Sequence, residues 1–219
     1  MERLDTKALL LRSAELLFVE RGIDSVSLRE INRHAGQRNA SSLHYHFSSR
    51  TNLLEALVDW RMPPLDKRRL ELVEICRLGP AEEKLRKLAE AIAMPLIETM
   101  TISNPPNNWV RLQARIYQLD SFKFGAYFHS RGYDKGLLEV RKVQQELAPE
   151  ISQLIRDQRL MFTTRLVVNS LADWQRGVLP LQSGVGVDDL QVFAGNLIDC
   201  TQAIIGAESV PFKLPDSTI

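Results

Sequence analysis

Small polar and basic side chains cluster between residues 29 and 50, where they suit contact with a polyanion. Hydroxyl and amide groups at the start of a short helix can hydrogen-bond base edges, and arginine binds phosphate. Between Ser27 and Leu54 there are four arginines and one acid, a net charge of +3, although the whole chain carries only +1. Local charge therefore permits contact with phosphates. The polar and basic residues of this region that could make such contacts are Arg29, Arg38, Asn39, Ser41, Ser42, His44, Tyr45 and Arg50.

A short helix with several agreeing start signals precedes most of these residues. Ser27 and Glu30 have the spacing of a capping box, in which hydroxyl and carboxylate satisfy each other's backbone donors. Val26 and Ile31 occupy the two positions of a hydrophobic staple around the same N-cap. The sequence therefore predicts a helix over about 28–35.

A second short helix is predicted after a turn. Gly36 ends the first helix, and Asn39 can cap a helix over about 40–47, which Leu43 and Phe47 anchor at i and i+4. Two short helices joined by a Gly-containing turn form a helix-turn-helix, whose second helix enters the major groove of DNA. A plain helical hairpin has the same pattern, so the pattern alone leaves both interpretations open.

Helical spacing of apolar residues continues along most of the chain, with almost no strand signal. Pro63 and Pro64 are expected to end a helix that begins at Ser48 or Ser49. The other helices are predicted over about 6–21, 65–78, 81–100, 109–119, 122–130, 137–148, 151–178 and 188–206. The predicted fold class is therefore all-α.

Other classes of protein are disfavoured by missing signals. No run of about 18 apolar residues and no signal-peptide core is present, so we expect a cytoplasmic chain without a membrane span. Cys76 and Cys200 are expected to be reduced thiols, and His44 and His46 point about 200° apart on a helix, which disfavours a metal site. No P-loop, dinucleotide or Gly-x-Ser-x-Gly motif occurs. We expect no catalytic residue, metal or cofactor.

The N-terminal segment resembles the signature of TetR-family repressors. The resemblance covers about residues 7–58 and rests on segments 14–22, 26–31, 35–36 and 42–47, followed by Arg50, Leu53 and Leu54. It implies a homodimeric transcriptional regulator that binds double-stranded DNA and is switched by a ligand. The alternatives are a helical ligand-binding or scaffolding protein without DNA binding, and, less favoured, an enzyme.

The resemblance also implies roles for individual residues. Arg29 matches a position that often touches phosphate, and Arg50 stands where a lysine does so at the start of the next helix. Asn39 matches the serine that caps the recognition helix, and Ser41 and Ser42 match positions that read bases or the backbone.

The segment departs from the family pattern in two ways. The turn after Gly36 is one residue longer than usual, and Arg38 in this turn is an added candidate contact. His44 and His46 replace two common tyrosines, the first of which contacts phosphate.

The resemblance implies that residues 1–60 form a three-helix DNA-binding domain and that 61–206 form a larger helical domain for ligand binding and dimerisation. Residues 207–219, which contain two prolines, are predicted to be a tail. Pro95 is expected to bend its helix beside an aromatic-rich stretch, which leaves room for a small, mainly apolar ligand. A neutral or weakly polar molecule is expected, because no basic cluster faces this stretch in the pattern. Solid core packing is the alternative. The candidate ligand-binding residues are Met94, Trp109, Tyr117 and Tyr127.

The last two predicted helices carry apolar and small residues that suit a helical interface. Two such hairpins packed across a two-fold axis would make a four-helix interface, the family's usual dimer. An intrachain hairpin uses the same residues, and both arrangements can hold together. The candidate interface residues are Leu171, Trp174, Phe193 and Leu197.

Overall fold

The chain folds into α-helices wherever its structure is described. A computed structural model describes residues 6–37, 47–102, 107–178 and 190–209. These ranges contain nine α-helices, one short 3-10 turn and no strand, so the all-α prediction is confirmed for them. The helices are α1 (Thr6–Arg21), α2 (Leu28–His34), α3 (Arg50–Leu78), α4 (Lys84–Ile102), α5 (Trp109–Ile116), α6 (Phe124–Ser130), α7 (Lys135–Leu147), α8 (Gln153–Arg176) and α9 (Leu190–Gly206).

Most predicted helix boundaries agree with the structure to within a few residues. Gly22 and Gly36 follow α1 and α2 with φ angles of +95° and +68°, a left-handed conformation that glycine adopts without strain. α4 begins at Lys84 because the 3-10 turn Ala81–Glu83 precedes it. The helix predicted over 40–47 lies outside the described residues, apart from Phe47.

The predicted break at Pro63 and Pro64 is wrong, because α3 continues through both prolines. Each proline lacks the N–H that would bond a carbonyl four residues earlier, which costs about 3 kcal/mol or more. Burial of a large apolar side chain contributes about 1.5–3 kcal/mol, so a long buried face offsets this cost. That face is buried on both sides of the prolines, at Leu54, Leu57, Val58, Met62, Leu65 and Val73.

The continuous helix α3 also crosses the predicted domain boundary between residues 60 and 61. Its first half packs against α1, and its second half packs against α4 and α7. α5 packs against both α1 and α8, and α9 packs against α4 and α8. The N-terminal helices are thus connected to the larger helical part through α3 and α5. None of the described helices is long and apolar enough to cross a lipid bilayer.

Candidate nucleic-acid interface and ligand cavity

The capping box at the start of α2 is formed as predicted. The Ser27 Oγ accepts from the Glu30 N–H at 3.3 Å, and the Glu30 carboxylate accepts from the Ser27 N–H at 2.8 Å. Arg21 lies 2.9 Å from the other oxygen of this carboxylate. The backbone and hydroxyl hydrogen bonds from Ser27, together with Arg21, lower the pKa of Glu30 to about 2. Glu30, the one acidic residue between Ser27 and Leu54, is therefore ionised and already has hydrogen-bond and ion-pair partners.

A basic face remains on the outside of α2. Arg29 and Arg33 are spaced i, i+4, so their side chains lie on the same side of the helix. Both are exposed, and neither forms an ion pair within the described part of the chain. This face can meet a phosphate backbone without first breaking a salt bridge to another described residue.

Arg50, the first residue of α3, ties the start of that helix to the turn between α1 and α2. Its guanidinium donates to the carbonyl oxygens of Val26 at 3.1 Å and Asp24 at 3.4 Å. The Asp24 carboxylate lies 3.5 Å away, and the Arg50 side chain remains 40% exposed. Arg50 therefore has a structural role beside its predicted contact with phosphate.

A cavity of about 740 Å³ lies in the larger helical part. Its walls come from α3, α4, α6, α7 and α8, and from α5 with the segment that follows it. They are mostly apolar, with Ile92, Leu96, Ile116, Phe124 and Val168 among the buried lining residues. Polar side chains from the interior also reach it: Arg69, Gln113 and Tyr117. Its volume is within the range of about 300–1,000 Å³ that is typical of small-molecule sites.

Glu15 on α1 connects the N-terminal helices to the helix that borders this cavity. Its side chain is 4% exposed and forms a 2.8 Å salt bridge with Arg61 of α3. The other carboxylate oxygen accepts from the backbone N–H of Asn108, just before α5, at 2.7 Å. Arg115 of α5 also donates to the carbonyl of Val19 at 2.9 Å. α5 thus touches α1 and lines the cavity with Gln113.

Residues 10–57 match the family model for bacterial regulatory proteins of the TetR family. The N-terminal segment of the chain is therefore a DNA-binding domain of the TetR family. The chain is a DNA-binding transcriptional regulator, and the resemblance predicted over about residues 7–58 is confirmed.

Solved structures share the fold of this chain along nearly its whole length. The fatty acid degradation regulator FadR from Bacillus halodurans has a TM-score of 0.63 and 12% identity, covering 94% of this chain and 98% of that one. A TetR-family regulatory protein from Rhodococcus RHA1 has a TM-score of 0.61 and 13% identity, covering 94% and 100%. The TetR-family regulator PfmR from Thermus thermophilus has a TM-score of 0.58 and 18% identity, covering 92% and 99%. No curated protein sequence matches the chain significantly.

The structure describes two of the predicted DNA-binding residues of this regulator. Arg29 lies on the exposed face of α2 and Arg50 at the start of α3. The contact roles of all eight residues stay predictions. Six lie outside the described residues: Arg38, Asn39, Ser41, Ser42, His44 and Tyr45.

The predicted ligand residues are not all on the cavity. Tyr117 lines it, whereas Trp109 is completely buried in the core, and Met94 packs against the core outside the lining. The Tyr127 hydroxyl instead donates to Asp59 of α3 at 2.9 Å. Burial and the Asp59 carboxylate raise the pKa of Tyr127, so it stays a neutral donor.

Arg69 also lines the cavity and is not among the ligand-binding residues predicted from the sequence. Arg69 lies on α3, far along the chain from the aromatic stretch, and is only 4% exposed. A signal was available, because the spacing of the buried residues places an arginine in the middle of an apolar stripe. The stripe consists of Met62, Leu65, Arg69, Val73 and Cys76.

The predicted interface residues lie mainly inside the chain. Leu171 and Leu197 are 0% and 5% exposed, so α8 and α9 pack on each other as an intrachain hairpin. The half-buried rings of Trp174 and Phe193 pack together there, with centroids 6.3 Å apart. The exposed apolar side chains of α8 lie on another face, at Leu154, Met161 and Phe162, with exposed fractions of 67%, 46% and 53%.

Proposed function

We propose that this TetR-family regulator is a homodimeric repressor, which a small, mainly apolar organic ligand releases from double-stranded DNA. The observation that carries the proposal is the position of α5, which lines the cavity with Gln113 and contacts α1 through Asn108 and Arg115. A ligand in the cavity therefore lies one helix away from the N-terminal DNA-binding segment.

On the DNA side, the exposed Arg29 and Arg33 would contact phosphates, and the residues between Gln37 and Phe47 would enter the major groove. The proposed contacts are those predicted from the sequence: Arg38, Asn39, Ser41, Ser42, His44, Tyr45 and Arg50. Phosphate contacts orient the protein on the duplex, and contacts to base edges provide the specificity.

On the dimer side, the exposed face of α8 supports pairing with a second copy. Leu154, Met161 and Phe162 follow i, i+7 and i+8 spacing, so they form one apolar stripe. The stripe lies on the outside of the α8–α9 hairpin, which is where a four-helix interface between two copies would form. A two-fold dimer would place two recognition helices about 34 Å apart, which matches successive major grooves.

Release from DNA would follow from a change in that spacing. A ligand that binds one position of α5 better than another shifts the population toward it, by no more than the difference in affinity. Glu15 would transmit the movement, because its carboxylate holds Asn108 and Arg61 at once. The ligand and DNA would thus favour two different arrangements of the same dimer.

The test is fluorescence anisotropy with labelled fragments of the DNA that flanks the protein's own gene. The wild type should bind one fragment specifically, and the double variant Arg29→Ala, Arg33→Ala should bind all fragments more weakly, with a shallower salt dependence. The double variant Lys67→Ala, Lys135→Ala provides the matched charge control, because both lysines are exposed, lie outside the N-terminal segment and form no ion pair with any described residue. Equal loss of affinity in both sets would contradict the proposed DNA-binding face.

A further inference from the structure

We propose that the cavity binds an organic monocarboxylate, whose carboxylate pairs with Arg69 and whose apolar body fills the remaining space. The inference rests on the proposed function for the presence of a ligand, and it names the chemical class of that ligand. It replaces the expectation of a neutral ligand.

Among the described residues, the buried guanidinium of Arg69 has no hydrogen-bond or ion-pair partner. Its side chain lines the cavity, and its Nε and Nη1 atoms are inaccessible to solvent and form no hydrogen bond with the described part of the chain. No carboxylate of the described residues lies within ion-pair distance of it. Removing an unpaired charge from water is costly, so the site is complete only when an anion enters.

Asp66, one turn before Arg69 on α3, does not neutralise this charge by direct contact. Its Oδ1 accepts from the backbone N–H of Gly136 at 2.8 Å. A Cβ at Gly136 would lie 2.9 Å from the Cβ of Arg69, so the start of α7 packs tightly against the arginine stem. Burial lowers the pKa of Arg69 and raises the pKa of Asp66. The surrounding backbone holds Arg69 in the interior beside the cavity.

A second donor is available on the same cavity. The Nε2 of Gln113 donates to the Tyr117 hydroxyl at 2.8 Å, and the hydroxyl proton of Tyr117 is not used within the described residues. Tyr117 can therefore donate to a carboxylate oxygen. A guanidinium fork and a phenol suit a planar carboxylate, because arginine binds carboxylates through two parallel hydrogen bonds.

The other charges around the cavity favour a monoanion over a dianion. Asp157 is paired with Arg141 at 2.7 Å, and Arg165 lies over the ring of Tyr117 at 5.2 Å. Asp120, Lys123 and Arg165 are exposed to solvent. Among the described residues that line the cavity, Arg69 is thus the one buried cation without an ion pair, and the walls around it are mostly apolar.

The test compares acids with neutral compounds of the same shape, using calorimetry on the full chain. The probes are decanoate with decanol, and phenylbutyrate with phenylbutanol. Wild type should bind at least one acid about ten- to a hundredfold more tightly than its alcohol, the range expected for a charge-assisted hydrogen-bond pair. Arg69→Met should abolish this preference. Arg165→Met, which removes an exposed cation at the same cavity, should keep it.

Three results would overturn the proposal: alcohols that bind as tightly as acids, an unchanged preference in Arg69→Met, or a wild type that binds neither acid. The thermal stability of ligand-free Arg69→Met provides an independent reading. It should equal or exceed that of the wild type, because a methionine fills the site without an unpaired charge. A lower melting temperature would show that Arg69 is a structural partner of Asp66, and would also overturn the proposal.

The outcome can be separated from that of the proposed function. Acid binding that depends on Arg69 but leaves DNA affinity unchanged would support the carboxylate site and contradict ligand release. DNA release by a neutral compound, retained in Arg69→Met, would support ligand release and contradict the carboxylate site.

Discussion

Glu15 joins three helices through one nearly buried carboxylate, and Glu15→Gln tests that link. The amide keeps one oxygen for the Asn108 N–H but loses the charge that holds Arg61 at 2.8 Å. Breaking a buried ion pair costs about 3–5 kcal/mol. Arg61 is 21% exposed and lies 4.0 Å over the ring of Trp60, so it retains some stabilisation, and we expect a loss of about 2–3 kcal/mol.

Urea and thermal unfolding measure this loss, which corresponds to about 4–12 °C in melting temperature for a chain of this size. Arg61→Met should cost more, because it leaves the Glu15 carboxylate, only 4% exposed, without its cation. The double variant should lose clearly less than the sum of the two single variants.

Glu15→Gln should also weaken the effect of ligand on DNA affinity, which anisotropy with and without the bound acid measures. A free energy of unfolding within about 0.5 kcal/mol of the wild type, or strictly additive single variants, would refute the reasoning about the pair. If the ligand still releases DNA fully from a destabilised Glu15→Gln variant, the coupling between the cavity and the DNA-binding segment does not depend on Glu15.

Four further predictions concern the capping box, the start of α3 and the dimer. Ser27→Ala should destabilise the protein by about 1 kcal/mol, measured by thermal unfolding, because it removes half of the capping box. The pKa of Glu30 falls from 4.5 to about 2 on folding, so its carboxylate contributes to folding stability above pH 4.5 and loses this contribution as the pH falls toward 2. The difference in melting temperature between wild type and Glu30→Gln should therefore narrow over that range. Arg50→Ala should make the salt dependence of log K shallower by about one unit, in addition to lowering stability through its lost bonds to the α1–α2 turn. Phe162→Glu should yield folded monomers that lose specific DNA binding, measured by sedimentation, whereas Leu171→Glu should unfold the chain because Leu171 is completely buried.

Each of these predictions has a result that contradicts it. An unaltered melting temperature in Ser27→Ala would mean that the capping box does not hold α2, and a Glu30 difference that is constant with pH would mean that the carboxylate is not specially stabilised. An unchanged salt slope in Arg50→Ala would leave Arg50 with its structural role only. A Phe162→Glu variant that still sediments as a dimer would move the interface away from the α8 stripe.

The local elements of this protein were predictable from the sequence. Ser27, Glu30 and the glycines after α1 and α2 act through hydrogen bonds and dihedral angles within one helical turn, so their spacing alone predicts the helix ends. The family was recognisable for the same reason, because its signature is a compact series of such turns and apolar anchors between residues 10 and 57.

Only the tertiary structure determined which partner each apolar helix face packs against. An apolar stripe predicts that a helix is buried but does not specify its partner, so Leu171 fits an intrachain hairpin as well as a dimer. α3 continues through Pro63 and Pro64, although proline disfavours a helix interior, because residues on both sides of the prolines are buried by packing. Arg69 meets Gln113 and Tyr117 at one cavity because segments far apart in the chain pack there. Such contacts depend on the arrangement of all the helices, and no single segment of sequence contains that information.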